Sequence, residues 1–394
     1  MSTHEGEGNP PGVSRRQFVA GAAAGLLALG GLPGAALAAE AVAPAAGLVS
    51  LDARAFGAKG DGKTDDTASL QKAIEAAADA HATVLLPDGV YLCSTLKLRP
   101  QVGLLGTPTW NYRRPGGTIL RLADDAAKCL LDITGAVGAT INGLCLDGQR
   151  LGTGVHGVLV DNPEYKQEDA FRIERCQINR FTGDGVHLNR IWCFTIRHSM
   201  LAYNRENGVR MAGWDGFLLD NWFSGNGAAG YGAYDEDNSS ITLTANRIEW
   251  NRAGGIVLHD GSHYNITGNY LDRSGGPGIV MLGGGITTIT GNLIYRSGAP
   301  WRTLEKNDSC HARFERVHGL VFTSNTMTAG RDDGGRGNWS PRFGLVCREL
   351  QNSIIRDNVL HEGALEELVV DLGGHGEGAI IRDNPGSLRK PPAS

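Results

Sequence analysis

The chain has 394 residues, with 37 basic and 42 acidic side chains, a formal charge of −5 and 57 glycines. So mild a balance excludes nucleic acid or another polyanion as the principal partner. Aromatic content is an ordinary 7%, so glycine at about twice its usual share of roughly 7% signals many tight turns in one folded body, not disorder.

The N-terminus reads as an address. Ser14-Arg15-Arg16-Gln17-Phe18-Val19 followed by AGAAAGLLALGGLPGAALA is a twin-arginine export pattern, and Ala36-Leu37-Ala38 offers small residues for cleavage. A signal over residues 1–38 is expected, with the mature protein periplasmic or extracellular. No second apolar run of about 18 residues occurs, so no membrane attachment is expected after cleavage.

Residues 39–142 read as a cap and first coils. Asp65, Asp66 or Thr67 caps a helix over roughly 67–80, with Leu70, Ala73, Ile74 and Ala77 on one face. Thr83-Val84-Leu85-Leu86-Pro87 is a buried strand, and Asp88-Gly89 turns into Val90-Tyr91-Leu92-Cys93. The seven cysteines are widely spaced, odd in number and without a CxxC pair. Small buried core residues are expected of them, not a disulfide framework or a zinc site.

From residue 143 to 386 two combs repeat. Gly185-Val186-His187-Leu188, Gly208-Val209-Arg210-Met211, Gly255-Ile256-Val257-Leu258 and Gly278-Ile279-Val280-Met281 share one pattern, with Gly232-Ala233-Tyr234-Asp235 placed in phase between them. Asn221, Asn246, Asn269 and Asn292 form the second comb, with weaker members at Asn325, Asn358 and Asn384. Three short alternating strands in a repeat of about 23 residues fit one coil of a parallel β-helix. The expected fold is therefore all-β, a single right-handed parallel β-helix with a short N-terminal capping helix. Asparagine suits the turns, because its amide bonds to the same amide one coil away. Near 299–342 the steps lengthen, so loop insertions are expected there, and 387–394 is a tail.

Phe56-Gly57-Ala58-Lys59-Gly60-Asp61-Gly62, Thr64-Asp65-Asp66-Thr67 and Leu86-Pro87-Asp88-Gly89-Val90-Tyr91 resemble the N-terminal signature of the pectate-lyase-like superfamily. That group includes polygalacturonases, exported lyases, tailspikes and fructotransferases. The resemblance implies an exported carbohydrate-active enzyme, a polysaccharide lyase or glycoside hydrolase, holding an extended glycan along the helix. It also leaves open a fructotransferase-type transferase, and it implies that a homotrimer is available to the fold. The known polygalacturonase and pectate lyase signatures are missing, so the catalytic residues do not carry over. Asp61, Asp65 and Asp66 belong to a motif that seals the helix end and are read as structural.

With the combs as phased, His187, Arg210 and Tyr234 point outward in one column, and Asp235, Glu236, Asp237, His259 and Asp260 lie in the turns beside it. The catalytic candidates are Asp235, Glu236, Asp237, Arg210, His187 and Asp260. Tyr234, His259, Trp214, Arg190, Trp301 and Arg302 are the candidates for gripping the sugar. No cofactor is certain, and calcium is the one metal this set suits, through Asp235 and Asp237. The loops around Trp301, Arg302, His311 and Arg313, and around Arg331, Asp332 and Trp339, are expected to wall the same groove. A non-catalytic glycan-binding β-helix is the competing reading, and a solvated polar turn is the plainest account of the acidic triplet.

Overall fold

The computed structural model describes residues 49–108, 116–164, 168–235, 237–302 and 305–391. The twin-arginine segment and Glu236 lie outside the described residues. The helix Thr67–Asp79 buries Leu70, Ala73, Ile74 and Ala77, the face expected from its spacing. Asp66 does not cap it; its buried carboxylate accepts from the Lys59 and Gly60 amides at 2.6 and 2.9 Å. Asp65 takes the first-turn amide of Thr67 at 2.9 Å, and Asp61 takes those of Lys63 and Thr64 at 2.8 Å. These acids are thus spent on holding the entry loop against the first coil, the structural part expected of them.

The rest is a right-handed parallel β-helix. Among the described residues one sheet holds 22 strands and a second holds 11. The larger sheet joins two faces, because Val186–Arg197 and Val209–Leu219 run through the corner between them. Inward positions form continuous apolar columns, such as Val186, Val209, Tyr231, Ile256 and Ile279, all fully buried. The seven cysteines are unpaired thiols, six buried and Cys193 half-buried.

The asparagine comb is a hydrogen-bonded ladder. Each rung's Oδ1 accepts the backbone N–H and the side-chain amide of the rung before it, from Asn221 through Asn246, Asn269, Asn292, Asn325 and Asn358 to Asn384. A second ladder, Asn204 to Asn226 to Asn251, runs beside it. Asn269 makes four such bonds at 2.9–3.0 Å, to Asn246, Asn292 and the Leu243 carbonyl. Leaving buried amides unpaired costs about 1–3 kcal/mol each. Asn269→Ala is therefore expected to destabilise the protein by roughly 3 kcal/mol or more, read as a lower urea midpoint.

One phase is corrected. Val209 pairs with Tyr231 and Arg210 with Gly232, so the repeat unit in that coil is Gly230-Tyr231-Gly232-Ala233. Tyr234 lies beyond the strand Ala229–Ala233, in the corner that follows it.

Candidate functional site

The corner between the two faces of the larger sheet varies in length from coil to coil. Asn189 and Arg190 fill it between Leu188 and Ile191, and Ala212 alone fills it between Met211 and Gly213. In the next coil residues 234–237 separate Ala233 from Asn238. A short corner between longer ones leaves a dent. That dent is a groove of about 370 Å³ lined by His187, Leu188, Asn189, Arg190, Arg210, Ala212, Asp235 and Asp237. Gly213 makes the tight corner feasible: its φ is +141°, and a Cβ there would sit 2.0 Å from the Ile191 carbonyl oxygen. Its N–H donates to the Asp237 carbonyl at 2.5 Å, which ties the overhanging segment to the groove floor.

At one end of the groove stands a charge-assisted chain. His187 Nδ1 lies 2.8 Å from Asp184 Oδ2, and Asp184 Oδ1 accepts from the Asn207 N–H and side-chain amide at 2.9 and 2.8 Å. Burial pushes the Asp184 carboxyl up, but the bonds from His187 and Asn207 outweigh it and hold it below the usual range. An ionised Asp184 fixes the His187 proton on Nδ1 and leaves Nε2 as the basic nitrogen. His156 sits beneath, its ring centroid 4.4 Å from that of His187. Its Nδ1 accepts the Asp184 N–H at 3.0 Å, and burial pushes its pKa down to about 4, so it is a neutral ring at neutral pH.

His156, Asp184 and His187 are also near enough together to hold a metal ion, as are Cys347, Asp371 and His375. In the first group the spacings are those of direct hydrogen bonds, and both carboxylate oxygens and His156 Nδ1 are engaged by them. In the second, His375 Nε2 meets Asp371 at 2.7 Å and Nδ1 accepts the Leu350 N–H at 3.1 Å.

Arg210 stands beside His187 in register. The next residue in that column is Gly232, and the Tyr234 ring folds back over it: a Cβ on Gly232 would fall 2.5 Å from the Tyr234 hydroxyl. Tyr234 thus enters the column by its ring although its backbone does not. Its hydroxyl donates to Asn207 Oδ1 at 2.8 Å, and the Arg210 guanidinium lies 5.7 Å from its ring centroid. Burial, with the Asp184 charge added, pushes the Tyr234 hydroxyl up to about 12. Among the described residues Arg210 is otherwise paired with Asp235, at 3.8 Å and partly exposed.

The other expected site residues fall in several places. Arg190 lines the groove but is bound to Asp161 at 3.1 Å and to the Asn162 carbonyl. His259 packs edge-on to Tyr234 at 5.3 Å, and Asp260 lies over Gly283, one coil further on. Trp214 is half-buried on the second face, in register with Trp192 and Ser239. Trp301 and Arg302 are exposed in the loop before Cys310–Glu315, and the Arg302 stem covers Gly275, which precedes Ile279–Leu282. That is four strands from His187, about 19 Å at the usual ~4.8 Å spacing. His311 is fully buried and Arg313 is paired with Asp308 and Glu315. The 330–340 segment packs toward Arg273 and Arg296. Neither loop walls this groove, because each leaves the helix at a different coil and corner. His156 has no signal in the sequence, and Asp184, in Gly183-Asp184-Gly185, reads there as an ordinary Asp-Gly turn; the structure brings both to His187.

A model described as "Rhamnogalacturonase A/epimerase, pectate lyase-like" matches residues 50–115. Two mannuronan C5-epimerases of Azotobacter vinelandii are 29% identical over 240 residues, 52% of this chain and 22% of each relative. The chain therefore spans about a fifth of the length of these curated relatives. Among solved structures, the A-module of a mannuronan C-5 epimerase from Azotobacter vinelandii superimposes with a TM-score of 0.60 at 19% identity, covering 86% of this chain and 100% of that one. DFA-IIIase from Arthrobacter chlorophenolicus A6 without its lid gives 0.59 at 16%, covering 86% and 98%. At such identities the likeness is one of fold. The model described as "Right handed beta helix region" matches residues 151–294 and 231–387. These matches together span 151–387, more than half the chain, and with the stacked coils they establish that this protein belongs to the right-handed β-helix family.

Proposed function

We propose that this protein is a polysaccharide-acting enzyme whose groove takes a uronate-containing chain and whose His187 removes the proton at C5. The observation that carries the reading is the Asp184–His187 pair, 2.8 Å apart, with Arg210 in register beside it at an open groove. A carbon next to a carboxylate loses its proton only if the charge that spreads into the carboxylate is met. Arg210, weakly held by Asp235, is placed to meet it with a planar pair of donors. His187 Nε2 takes the proton, and the electron pair of the C5–H bond moves into the carboxylate. Its return either expels the C4 oxygen, which takes a proton from solvent at the open groove and leaves a C4=C5 double bond, or takes a proton from solvent onto the other face of C5. The first outcome is β-elimination and the second is epimerisation, the activity in the name of the curated relatives.

Asp235 and Asp237 offer oxygens of the kind calcium takes. Removal by EDTA and restoration with calcium test that part of the reading. Export by the twin-arginine route belongs to the same proposal, tested by finding the chain outside the cytoplasm only when Arg15 and Arg16 are intact.

Incubation with mannuronan, polygalacturonate and a neutral α-1,3-glucan divides the alternatives. Ultraviolet absorbance of an unsaturated uronate marks elimination, and altered anomeric and H5 proton signals without chain shortening mark epimerisation. Either is the expected result, on a uronate polymer only. New reducing ends without unsaturation would assign hydrolysis to the Asp235 and Asp237 carboxylates and overturn the proposal. No product from any polymer would favour a binding protein.

A further inference from the structure

The 11-stranded sheet lies on another face from the groove, and its corner carries one residue per coil at positive φ. These are Arg180, Tyr203, Gly225, Trp250, Arg273 and Arg296, with φ between 51 and 66°. They stack in that order, since they directly follow the paired positions Asn179, Ala202, Ser224, Glu249, Asp272 and Tyr295. Toward one end the column is roofed. Asp332 lies 3.7 Å from Arg273, and Arg296 donates to the Arg331 carbonyl at 3.1 Å. Toward the other end it is open, and Gly225 interrupts the run of large side chains.

The interruption makes a cleft of about 380 Å³ lined by Tyr203, Ser224, Gly225, Glu249 and Trp250, within the about 300–1,000 Å³ of small-molecule sites. The Tyr203 ring lies against Gly225: a Cβ there would fall 2.9 Å from the ring. The ring is therefore braced by backbone along its Cδ1–Cε1 edge, and the residue is still 38% exposed. Arg273 stacks on Trp250 with its guanidinium 4.4 Å from the ring centroid, which holds that second ring in place. Glu249 lines the same cleft, nearly buried and fixed by Trp222 Nε1 at 2.9 Å and Arg247 Nε at 2.8 Å. Glu249 is thus a fixed acceptor in the cleft lining.

We propose that this cleft is a second, non-catalytic saccharide site, holding one pyranose unit with its apolar face on Tyr203 and Trp250 and its hydroxyls toward Glu249. An exposed flat ring, a second braced ring and a fixed carboxylate suit a ligand that is apolar on its faces and hydroxylated at its edge. Glu249 disfavours a uronate there, so the unit is neutral or presents its carboxylate to solvent. Such a site would keep a long chain on the protein between encounters with the groove. It extends the polysaccharide reading but is tested without relying on turnover.

Native gels cast with mannuronan, polygalacturonate or α-1,3-glucan give retardation as a measure of binding. Wild-type protein is expected to be slowed by at least one polymer. Tyr203→Ala should weaken that binding roughly three- to tenfold, the size of one lost ring contact, while Tyr203→Phe keeps it. Trp250→Phe should likewise keep most of it. His187→Ala should be retarded like the wild type, so loss of product with retained, Tyr203-dependent retardation separates the two sites. Retardation unchanged in Tyr203→Ala overturns the proposal, and so does absence of retardation by all three polymers. Should the wild type make no product from any polymer, only the groove reading fails.

Discussion

His187→Gln is expected to lower kcat on the responsive uronate polymer by about 10²–10⁴, the range for a lost general base, with KM little changed. The melting temperature should stay near that of the wild type, because His187 is only half-buried. Asp184→Asn should be nearly as damaging for a different reason. An amide donating to Nδ1 would move the imidazole proton to Nε2, and the base would be lost with the ring still in place. Arg210→Ala should depress kcat/KM, with part of the loss restored by added guanidinium. That rescue would not occur if Arg210 served only to hold Tyr234 and Asp235. A His187→Gln enzyme with wild-type kcat would sink the assignment.

The second large effect is acid lability. His156 and His311 titrate at about 4 and about 3 in the fold, against 6.5 when unhindered, and burial is the leading cause in both. Among the described residues no partner reaches either ring nitrogen of His311 at hydrogen-bonding geometry, and the Gly363 backbone only partly offsets the burial. Both folded values are depressed, so the unfolded chain binds protons that the native state refuses. Their contribution is complete above pH 6.5 and falls away as pH drops toward 4 and then 3. At about pH 4.5 the medium is about two units below the unfolded value of both rings, which sums to roughly 5 kcal/mol for the pair. Asp184, held low, adds a further loss only below the ordinary carboxylate range. Urea titrations at about pH 7 and pH 4.5 should show this difference, and His311→Leu should remove about half of it. The same pH slope in that variant would rule His311 out as the source.

Much of the fold could be read because the ladder asparagines must turn the chain and bond to the next coil at once. Few residue types do both, so Asn221 to Asn384 stand out in plain sequence. The phase at Gly230 and Gly232 could not be read in the same way. A slip of two residues leaves every side chain on its own face, so alternation scores both registers alike. Only the pairing of Tyr231 with Val209 separates them. His187, Arg210, Asp235 and Asp237 were legible as groove residues because they lie in or just beyond the repeating strand. His156 was not, since it precedes the clear repeats and meets Asp184 only through stacking. The groove itself was invisible, because its depth is a difference in corner length between neighbouring coils.

That difference also says how such a scaffold diversifies. The cores of the three coils continue in register on either side of the corner, whatever number of residues the corner holds. An insertion or deletion there changes the binding relief while the strands on either side keep their pairing, much as a key is recut without altering its shank. Specificity in this chain is therefore open to editing at 189–190, 212 and 234–237, one coil at a time. Replacing 234–237 by a two-residue corner should flatten the groove and keep the coils stacked, lowering the melting temperature only by what the Tyr234–Asn207 and Gly213–Asp237 hydrogen bonds contribute.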